Sequence, residues 1–195
     1  MRFPFDFEGR NSYRKIKGMV PTDNLVLQLV DSLYKEKQLD SVDTRIYETC
    51  NALTHTLTKM ATLPPKNFNN ATTDSIAKRR QDYQYKEILK IAMKKPVFSE
   101  RKVTKPDGSQ ISYQDGFQLM CEFWNTRNQT MAKNIIRVAE RYPNKKIVVL
   151  TGFLHRYYII SELKVHNRAD FIFLRSMTTN PNHITILLWN KLSPN

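Results

Sequence analysis

Residues 145–163 read KKIVVLTGFLHRYYIISEL, and the predicted fold is built around these residues. The run at 147–150 is uncharged, mostly β-branched and too short for a helix, which is typical of a strand buried on both faces of a parallel sheet. Thr151 and Gly152 interrupt the run, and apolar residues then recur at helical spacing. The pattern predicts a strand that turns into a helix. It places His155 in the first helical turn, at the carboxyl end of the strand, where open α/β sheets bind ligands.

Further apolar runs complete the predicted sheet. Residues 171–174 read as a second buried strand, so strand, helix and strand form one crossover unit. Residues 184–189 predict an antiparallel strand, and the alternating phenylalanines at 3–7 predict a strand with one apolar face. His166 and His183 are predicted in the loops. The expected fold class is α/β and helix-rich, with a small, mostly parallel sheet, flanking helices and a C-terminal antiparallel strand.

Amphipathic patterns predict long helices before this region. Capping residues at Thr22 and Asp23 and a proline at Pro96 mark two of the helix ends. The dipeptide Asp107-Gly108, flanked by β-compatible residues, predicts a hairpin within 103–113. The predicted helices span residues 22–37, 42–62, 73–95 and 113–142.

The chain has 195 residues, 41% of them hydrophobic, and a formal net charge of +13. This length favours a single domain over 1–195, while a strand that begins almost at residue 1 favours a fragment of a longer domain. The charge suits an anionic partner, including nucleic acid at Lys78, Arg79 and Arg80. A solvated, lysine-rich surface explains the charge more simply, and no motif that reads nucleic acid accompanies it.

Cysteine spacing and hydropathy narrow the class of protein. Cys50 and Cys121 have no CxxC spacing, so the sequence predicts neither a disulfide framework nor a cysteine zinc site. No stretch of about 18 uncharged apolar residues predicts a transmembrane segment. The amino-terminal residues lack the apolar core of a signal peptide. A cytoplasmic location is expected for the chain as it stands, and a secreted one if a precursor segment has been removed.

Arg127 lies on the apolar face of the predicted helix over 113–142, one turn after Trp124. An arginine that faces a core needs a carboxylate, carbonyl groups or a bound anion, because burying it unpaired is costly. Two compatible interpretations stay open: an internal salt bridge, for example with Glu8, or an arginine that lines a polar site. Asn128 borders the same face.

Three motifs are FDFEGRN at 5–11, RNQTMAKNI at 127–135 and IVVLTGFLH at 147–155. Together they resemble the carboxyl-terminal half of the Tiki/TraB superfamily, which includes erythromycin-esterase-like and ChaN-type haem-uptake proteins. The G-x-x-H signature of that superfamily is carried here by Gly152 and His155. Its members have an α/β fold of two related halves. Each half has a G-x-x-H motif, and acidic residues and an arginine converge with these motifs on one site.

The resemblance implies that His155, Arg127, Asn128 and Glu8 converge. Beside this family, the chain is either a fragment or half of a larger two-repeat domain. It departs from the family pattern in one respect, because this chain has no first G-x-x-H motif. The candidate binding residues taken from the same motifs are Asn128, Gly152, Arg10 and Asn11.

These residues and the resemblance together predict a hydrolase-like domain in which His155, Arg127 and Glu8 are catalytic. His155 acts as general base or metal ligand, Glu8 as base or metal ligand, and Arg127 stabilises developing negative charge. A divalent metal ion is the expected cofactor, although a metal site needs about three protein ligands and the sequence offers two. One alternative is a non-catalytic module that binds an anion or haem, with His155 as axial ligand. A second alternative is a basic nucleic-acid-binding protein.

Overall fold

The computed structural model describes residues 4–143, 145–165, 171–176 and 184–190. The predicted loop positions of His166 and His183 lie outside the described residues. The helices are α1 (Arg10–Ile16), α2 (Met19–Lys35), α3 (Ser41–Met60), α4 (Pro65–Phe68), α5 (Ala71–Asp82), α6 (Ile88–Lys94), α7 (Val97–Glu100), α8 (Tyr113–Arg141) and α9 (Phe153–Val165). The strands are β1 (Lys102–Thr104), β2 (Gln110–Ser112), β3 (Lys146–Thr151), β4 (Phe171–Ser176) and β5 (Ile184–Asn190).

Most of the predicted helices are confirmed, with ends that differ by a few residues from the expected ones. The helix expected over 73–95 is also present, and a π-helical turn lies inside it, between α5 and α6. The turn Tyr83–Glu87 is π-helical and holds about one more residue than an α-helical turn, and the polar Gln84 within it is buried. Helical spacing alone does not reveal such an insertion.

The hairpin expected within 103–113 is confirmed. Strands β1 and β2 pair antiparallel, with Val103 opposite Ile111. The Lys105 amide donates to the Ser109 carbonyl oxygen at 2.8 Å, and Gly108 has a φ of 82°. Glycine suits this position because a side chain would strain a backbone with positive φ.

Two compact units divide the chain. Unit 2 comprises residues 8–52 and 80–126. Its core is built from α2, α6 and the first half of α8, whose apolar residues recur at helical spacing. The buried core residues of unit 2 are Val26, Leu29, Val30, Leu33, Cys50, Ile88, Ile91, Ala92, Phe98, Phe117 and Cys121.

Unit 1 comprises residues 1–7, 53–79 and 127–195. Its core joins the second half of α8 to β3 and α9. The spacing of Met131, Ala132 and Ile135 puts these residues on one face of α8. The buried core residues of unit 1 are Met131, Ala132, Ile135, Val149, Ile159 and Leu163.

The expected parallel sheet was wrong. Strand β5 lies between β3 and β4 and pairs antiparallel with both, so the described strands form no parallel pair. Strands β3 and β4 run in the same direction, as the predicted crossover requires, but they are not neighbours. Only a short link joins β4 to β5, and such links favour antiparallel pairing. The chain is therefore a helix-rich protein with small antiparallel sheets.

The side chains of β3 show why the apolar run was misleading. Val149 and Thr151 are buried, whereas Val148 is 54% and Leu150 57% exposed. One face of the strand thus packs on the core and the other is open, which is typical of an antiparallel sheet. The prediction that this strand is buried on both faces was wrong, because apolar residues also occupy its outer face.

The amino-terminal strand expected over 3–7 was also wrong for the residues that the structure describes, 4–7, which contain no strand. The Phe7 amide donates to the Asp6 carboxylate at 2.7 Å. A local bond of this kind competes with the pairing of a strand. Residue 3 lies outside the described part of the chain.

Candidate functional site

His155 is the third residue of α9, directly after the turn that follows β3. Its amide donates to the Gly152 carbonyl oxygen at 3.0 Å, which closes the first helical turn. Its half-buried side chain contacts α8, where Nδ1 lies 2.8 Å from Oδ1 of Asn128. An amide oxygen can only accept a hydrogen bond, so this contact places the imidazole proton on Nδ1. In the neutral ring, Nε2 then carries the basic lone pair.

Asn128 is completely buried, at 0% exposure, next to the apolar core of unit 1. It precedes Met131 and Ala132 on α8, and both of these are buried. An asparagine side chain surrounded by such residues has little freedom to turn, because a buried amide must keep its hydrogen bonds. The helix therefore presents the amide oxygen to His155 in a fixed orientation.

Arg127 forms an ion pair with Asp6. Its Nε and Nη2 atoms donate to the two carboxylate oxygens, each at 2.7 Å. The side chains are 17% and 32% exposed, respectively. Sequence reasoning required a carboxylate or an anion for this arginine and suggested Glu8. The structure supplies Asp6, in the two-pronged geometry that gives the strongest arginine–carboxylate contacts.

A second bond holds the same amino-terminal segment along α8. Asn134 Nδ2 donates to the Phe5 carbonyl oxygen at 3.1 Å, and the Phe5 ring packs on the core of unit 1. Asn134 lies seven residues after Arg127, which is two helical turns, so both side chains project from one face of α8. Residues 5 and 6 are thus held against α8 by Asn134 and Arg127.

Gly152 is exposed, and its backbone is not in the left-handed region. A Cβ atom built there would meet only His155 Cδ2, at an ordinary contact distance of 3.8 Å. Neither backbone conformation nor packing in the protein therefore requires glycine at this position. A glycine that the fold does not require is compatible with the predicted role in binding, where a ligand approaches the backbone closely.

The remaining predicted site residues belong to the other unit. His155, Arg127, Asn128 and Gly152 lie in unit 1, whereas Glu8, Arg10 and Asn11 lie in unit 2. Glu8 is exposed, and it precedes α1. Arg10, which is half-buried, and Asn11, which is exposed, are the first two residues of that helix. The roles suggested for Glu8, Arg10 and Asn11 remain predictions.

The contact of His155 described above brings it an amide oxygen, and no carboxylate or second histidine. In the part of the chain that the structure describes, no group of three His, Cys, Asp or Glu side chains could hold a metal ion. The side chain that makes that contact with His155 is the Asn128 amide, and the Asp6 carboxylate is paired with Arg127. Structural and catalytic metal sites need about three ligating side chains. Metal ligation by His155 and Glu8 thus stays a prediction, and no chemical step is assigned to a metal.

The basic cluster in α5 is only partly available to a partner. Lys78 and Arg79 are exposed. Arg80 is half-buried, and its Nη1 donates to Gln81 Oε1 at 2.5 Å. The Arg80 guanidinium therefore uses one of its donors within the protein. Among the described helices, none has the length and apolar character needed to cross a bilayer.

Two residues of this region were missed by sequence reasoning. Asp6 was assigned to the polar face of a strand that does not form. Arg156 was overlooked although it lies with Ile159 and Leu163 on the buried face of α9, where it is 4% exposed. Like Arg127, Arg156 is an arginine on an apolar helical face that needs a partner, and its helical spacing with Ile159 and Leu163 is the signal in the sequence.

Comparison with protein families, with curated proteins and with solved structures finds no match to this chain. A functional assignment therefore rests on the contacts of His155, Asn128, Arg127 and Asp6.

Proposed function

We propose that unit 1 carries a hydrolase-type site in which His155 acts as the general base. The 2.8 Å contact between His155 Nδ1 and Asn128 Oδ1 is the observation that supports this proposal. A histidine that acts as a base works best when a second group fixes its tautomer and its orientation. Asn128 can serve as that group because it is buried on a long helix.

The proposed chemistry begins at Nε2 of His155. This atom takes a proton from a water molecule, whose oxygen then bonds to the carbonyl carbon or phosphorus of the substrate. The bond from that atom to the leaving oxygen breaks, and the imidazolium ion returns the proton to the leaving group. Asn128 keeps the other proton on Nδ1 throughout the step. An amide does not carry the charge with which a carboxylate would stabilise the imidazolium ion, so the expected gain is that of ordinary general-base catalysis, about 10²- to 10⁴-fold.

Arg127 is proposed to stabilise negative charge that develops on the substrate. Its bonds to Asp6 use Nε and one hydrogen of Nη2, and a guanidinium carries further N–H donors. The same ion pair also holds the guanidinium in place, and preorganised donors are the most effective ones. Because Arg127 precedes Asn128 in α8, the donor and the group that orients the base belong to one rigid element.

The resemblance to the Tiki/TraB superfamily supports the same assignment. The motifs that carry the resemblance contain Arg127, Asn128, Gly152 and His155, all of which belong to unit 1. That superfamily includes hydrolases and haem-binding proteins, so the resemblance favours hydrolysis without naming a substrate. Under this proposal, Glu8 is an additional base or ligand only if it reaches the same substrate.

The test is hydrolysis of a panel of p-nitrophenyl esters and phosphates by the full chain and by His155→Ala. The matched control is His55→Ala, because His55 is an exposed histidine on α3 in the same unit. We expect kcat/KM to fall about 10²- to 10⁴-fold in His155→Ala and to stay unchanged in the control. Equal turnover by both variants and the parent chain would contradict the proposal.

Two further arms separate the alternatives. Turnover that disappears with a chelator and returns with Zn²⁺ or Mn²⁺ would favour a metal-dependent hydrolase over one in which His155 acts as a base without a metal ion. A haem titration that produces a Soret band in the parent chain and in His55→Ala, but not in His155→Ala, would favour the haem-binding alternative.

A further inference from the structure

The segment of residues 68–74 makes three contacts with the first turn of α9. Phe68 is 1% exposed, and its ring meets that of Phe153 edge-on, with centroids 5.2 Å apart. Arg156 Nε donates to Asp74 Oδ1 at 2.6 Å, and its Nη2 donates to the Asn70 carbonyl oxygen at 2.8 Å. These contacts fall on either side of His155, at positions 153 and 156 of the chain.

The 68–74 segment is itself held in a defined conformation. The side chain of Asn70 caps α5, because its Oδ1 accepts a hydrogen bond from the Thr73 amide at 2.9 Å. Its Nδ2 donates to the Asn67 carbonyl oxygen at 2.6 Å. Asp74 lies in the first turn of α5, where a carboxylate is stabilised by the helix dipole. Bonds within the segment itself therefore hold Asn70, which accepts a hydrogen bond from Arg156, and Asp74 lies on the helix that Asn70 caps.

Arg156 is buried too deeply for a simple surface ion pair. It is 4% exposed, so its charge depends on Asp74 and on the Asn70 carbonyl for compensation. A pair that merely stabilises the fold could lie anywhere in unit 1. The ion pair between Arg156 and Asp74 instead binds the residue next to His155. Together with the contact between Phe68 and Phe153, it fixes the rotation of the first turn of α9 about the helix axis.

We propose that Arg156, Asp74 and Phe68 are positioning residues that hold His155 against Asn128. This inference rests on the proposed function for its catalytic consequence, and on geometry alone for its structural one. A rotation of the first turn of α9 would carry the His155 ring away from Asn128. The Nδ1–H group would then lose its acceptor, and the ring proton could move to Nε2. A base displaced by about 1 Å loses about two orders of magnitude in rate.

The experiment compares Asp74→Asn with the parent chain. Asparagine keeps the shape and one acceptor oxygen but removes the charge that compensates Arg156. The matched control is Asp82→Asn, which removes a carboxylate at the other end of α5 that pairs with Lys86 at 2.6 Å. Two quantities are measured on full-length protein: the tautomer of His155 from ¹⁵N–¹H correlation spectra, and kcat and KM on the best ester or phosphate of the panel.

For Asp74→Asn we expect the His155 signals to change from the Nδ1–H form to a mixture of tautomers. We expect kcat to fall about 10- to 100-fold, with KM changed less than about twofold, because a displaced base affects the transition state more than substrate binding. The control should show neither change. His155 signals in Asp74→Asn that match those of the parent chain overturn the inference, whatever the turnover.

The proposed function fails separately. If His155→Ala retains full turnover while Asp74→Asn still alters the His155 tautomer, hydrolysis by His155 is refuted and the positioning of His155 is supported. Should Asp74→Asn not fold, Phe68→Leu gives the same readout, because it weakens the ring contact with Phe153 and leaves the ion pair intact. Unchanged His155 signals in that variant likewise overturn the inference.

Discussion

The ion pair between Arg127 and Asp6 should make a measurable contribution to the free energy of unfolding. Two charge-assisted bonds of 2.7 Å would each contribute about 1.5–3 kcal/mol if fully buried. The side chains are 17% and 32% exposed, and fully exposed pairs contribute only about 0.2–1 kcal/mol. We therefore expect a coupling energy of about 1–2 kcal/mol, between these limits. It is measured by urea unfolding of Arg127→Met, Asp6→Asn and the double variant.

A matched cycle on Lys35 and Asp31 provides the control. This pair has a similar distance, 2.6 Å, but its side chains are 70% and 38% exposed and lie one helical turn apart. Its coupling energy should stay below about 0.5 kcal/mol. A coupling for Arg127 and Asp6 no larger than that of the control would refute the reasoning, because partial burial and two-pronged geometry would then add nothing.

Asn128→Leu should lower the free energy of unfolding by about 1–3 kcal/mol, because the Nδ1–H of His155 loses its acceptor; equal urea midpoints would contradict this. Gly152→Ala should leave that free energy unchanged or raise it by up to about 1 kcal/mol, since the added Cβ meets only an ordinary contact. If turnover falls in this variant while its stability is unchanged, the added methyl group occupies space that a ligand needs. Both thiols are buried, and burial raises the pKa of Cys50 and that of Cys121, the latter to about 12, so Cys121 stays protonated at pH 9. The thiol reagent DTNB should therefore label the folded chain slowly and the urea-unfolded chain at once, whereas equal rates would show that these thiols are accessible.

The helical part of the fold could be predicted because each long helix has a regular apolar face. The residues of α8 illustrate this: Met120, Trp124, Met131 and Ile135 follow helical spacing and all are buried. Such spacing reports the local backbone directly. It does not report an inserted residue, which is why the π-helical turn at Tyr83–Glu87 was missed.

The sheet could not be predicted to the same extent, because strand pairing depends on residues far apart in the chain. The apolar run at 147–150 indicated a strand, and a strand is present. Its neighbour is β5, which begins more than thirty residues later and separates β3 from β4. The exposed Val148 and Leu150 made an antiparallel strand with one open face resemble a fully buried one.

The sequence showed that residues of the candidate site need partners, but it did not show which residues those partners are. Physical reasoning showed that Arg127 requires a compensating group, and the structure provides Asp6. The choice of carboxylate depended on the course of the amino-terminal segment, which was assigned to a strand that does not form. His155 was identified from its place after β3, whereas its partner Asn128 became a candidate through the helix face that it shares with Arg127.

The bond between Arg127 and Asp6 also has a consequence for the order in which the chain can fold during synthesis. Its two ends are 121 residues apart, and unit 1 takes its segments from 1–7, 53–79 and 127–195. Unit 2 is complete in sequence once residue 126 has left the ribosome. Phe5 and Asp6 are made before α8 and α9, and they reach their contacts in unit 1 only after these helices have been made. Slow synthesis beyond residue 126 would prolong the time in which the apolar residues of unit 1 are exposed.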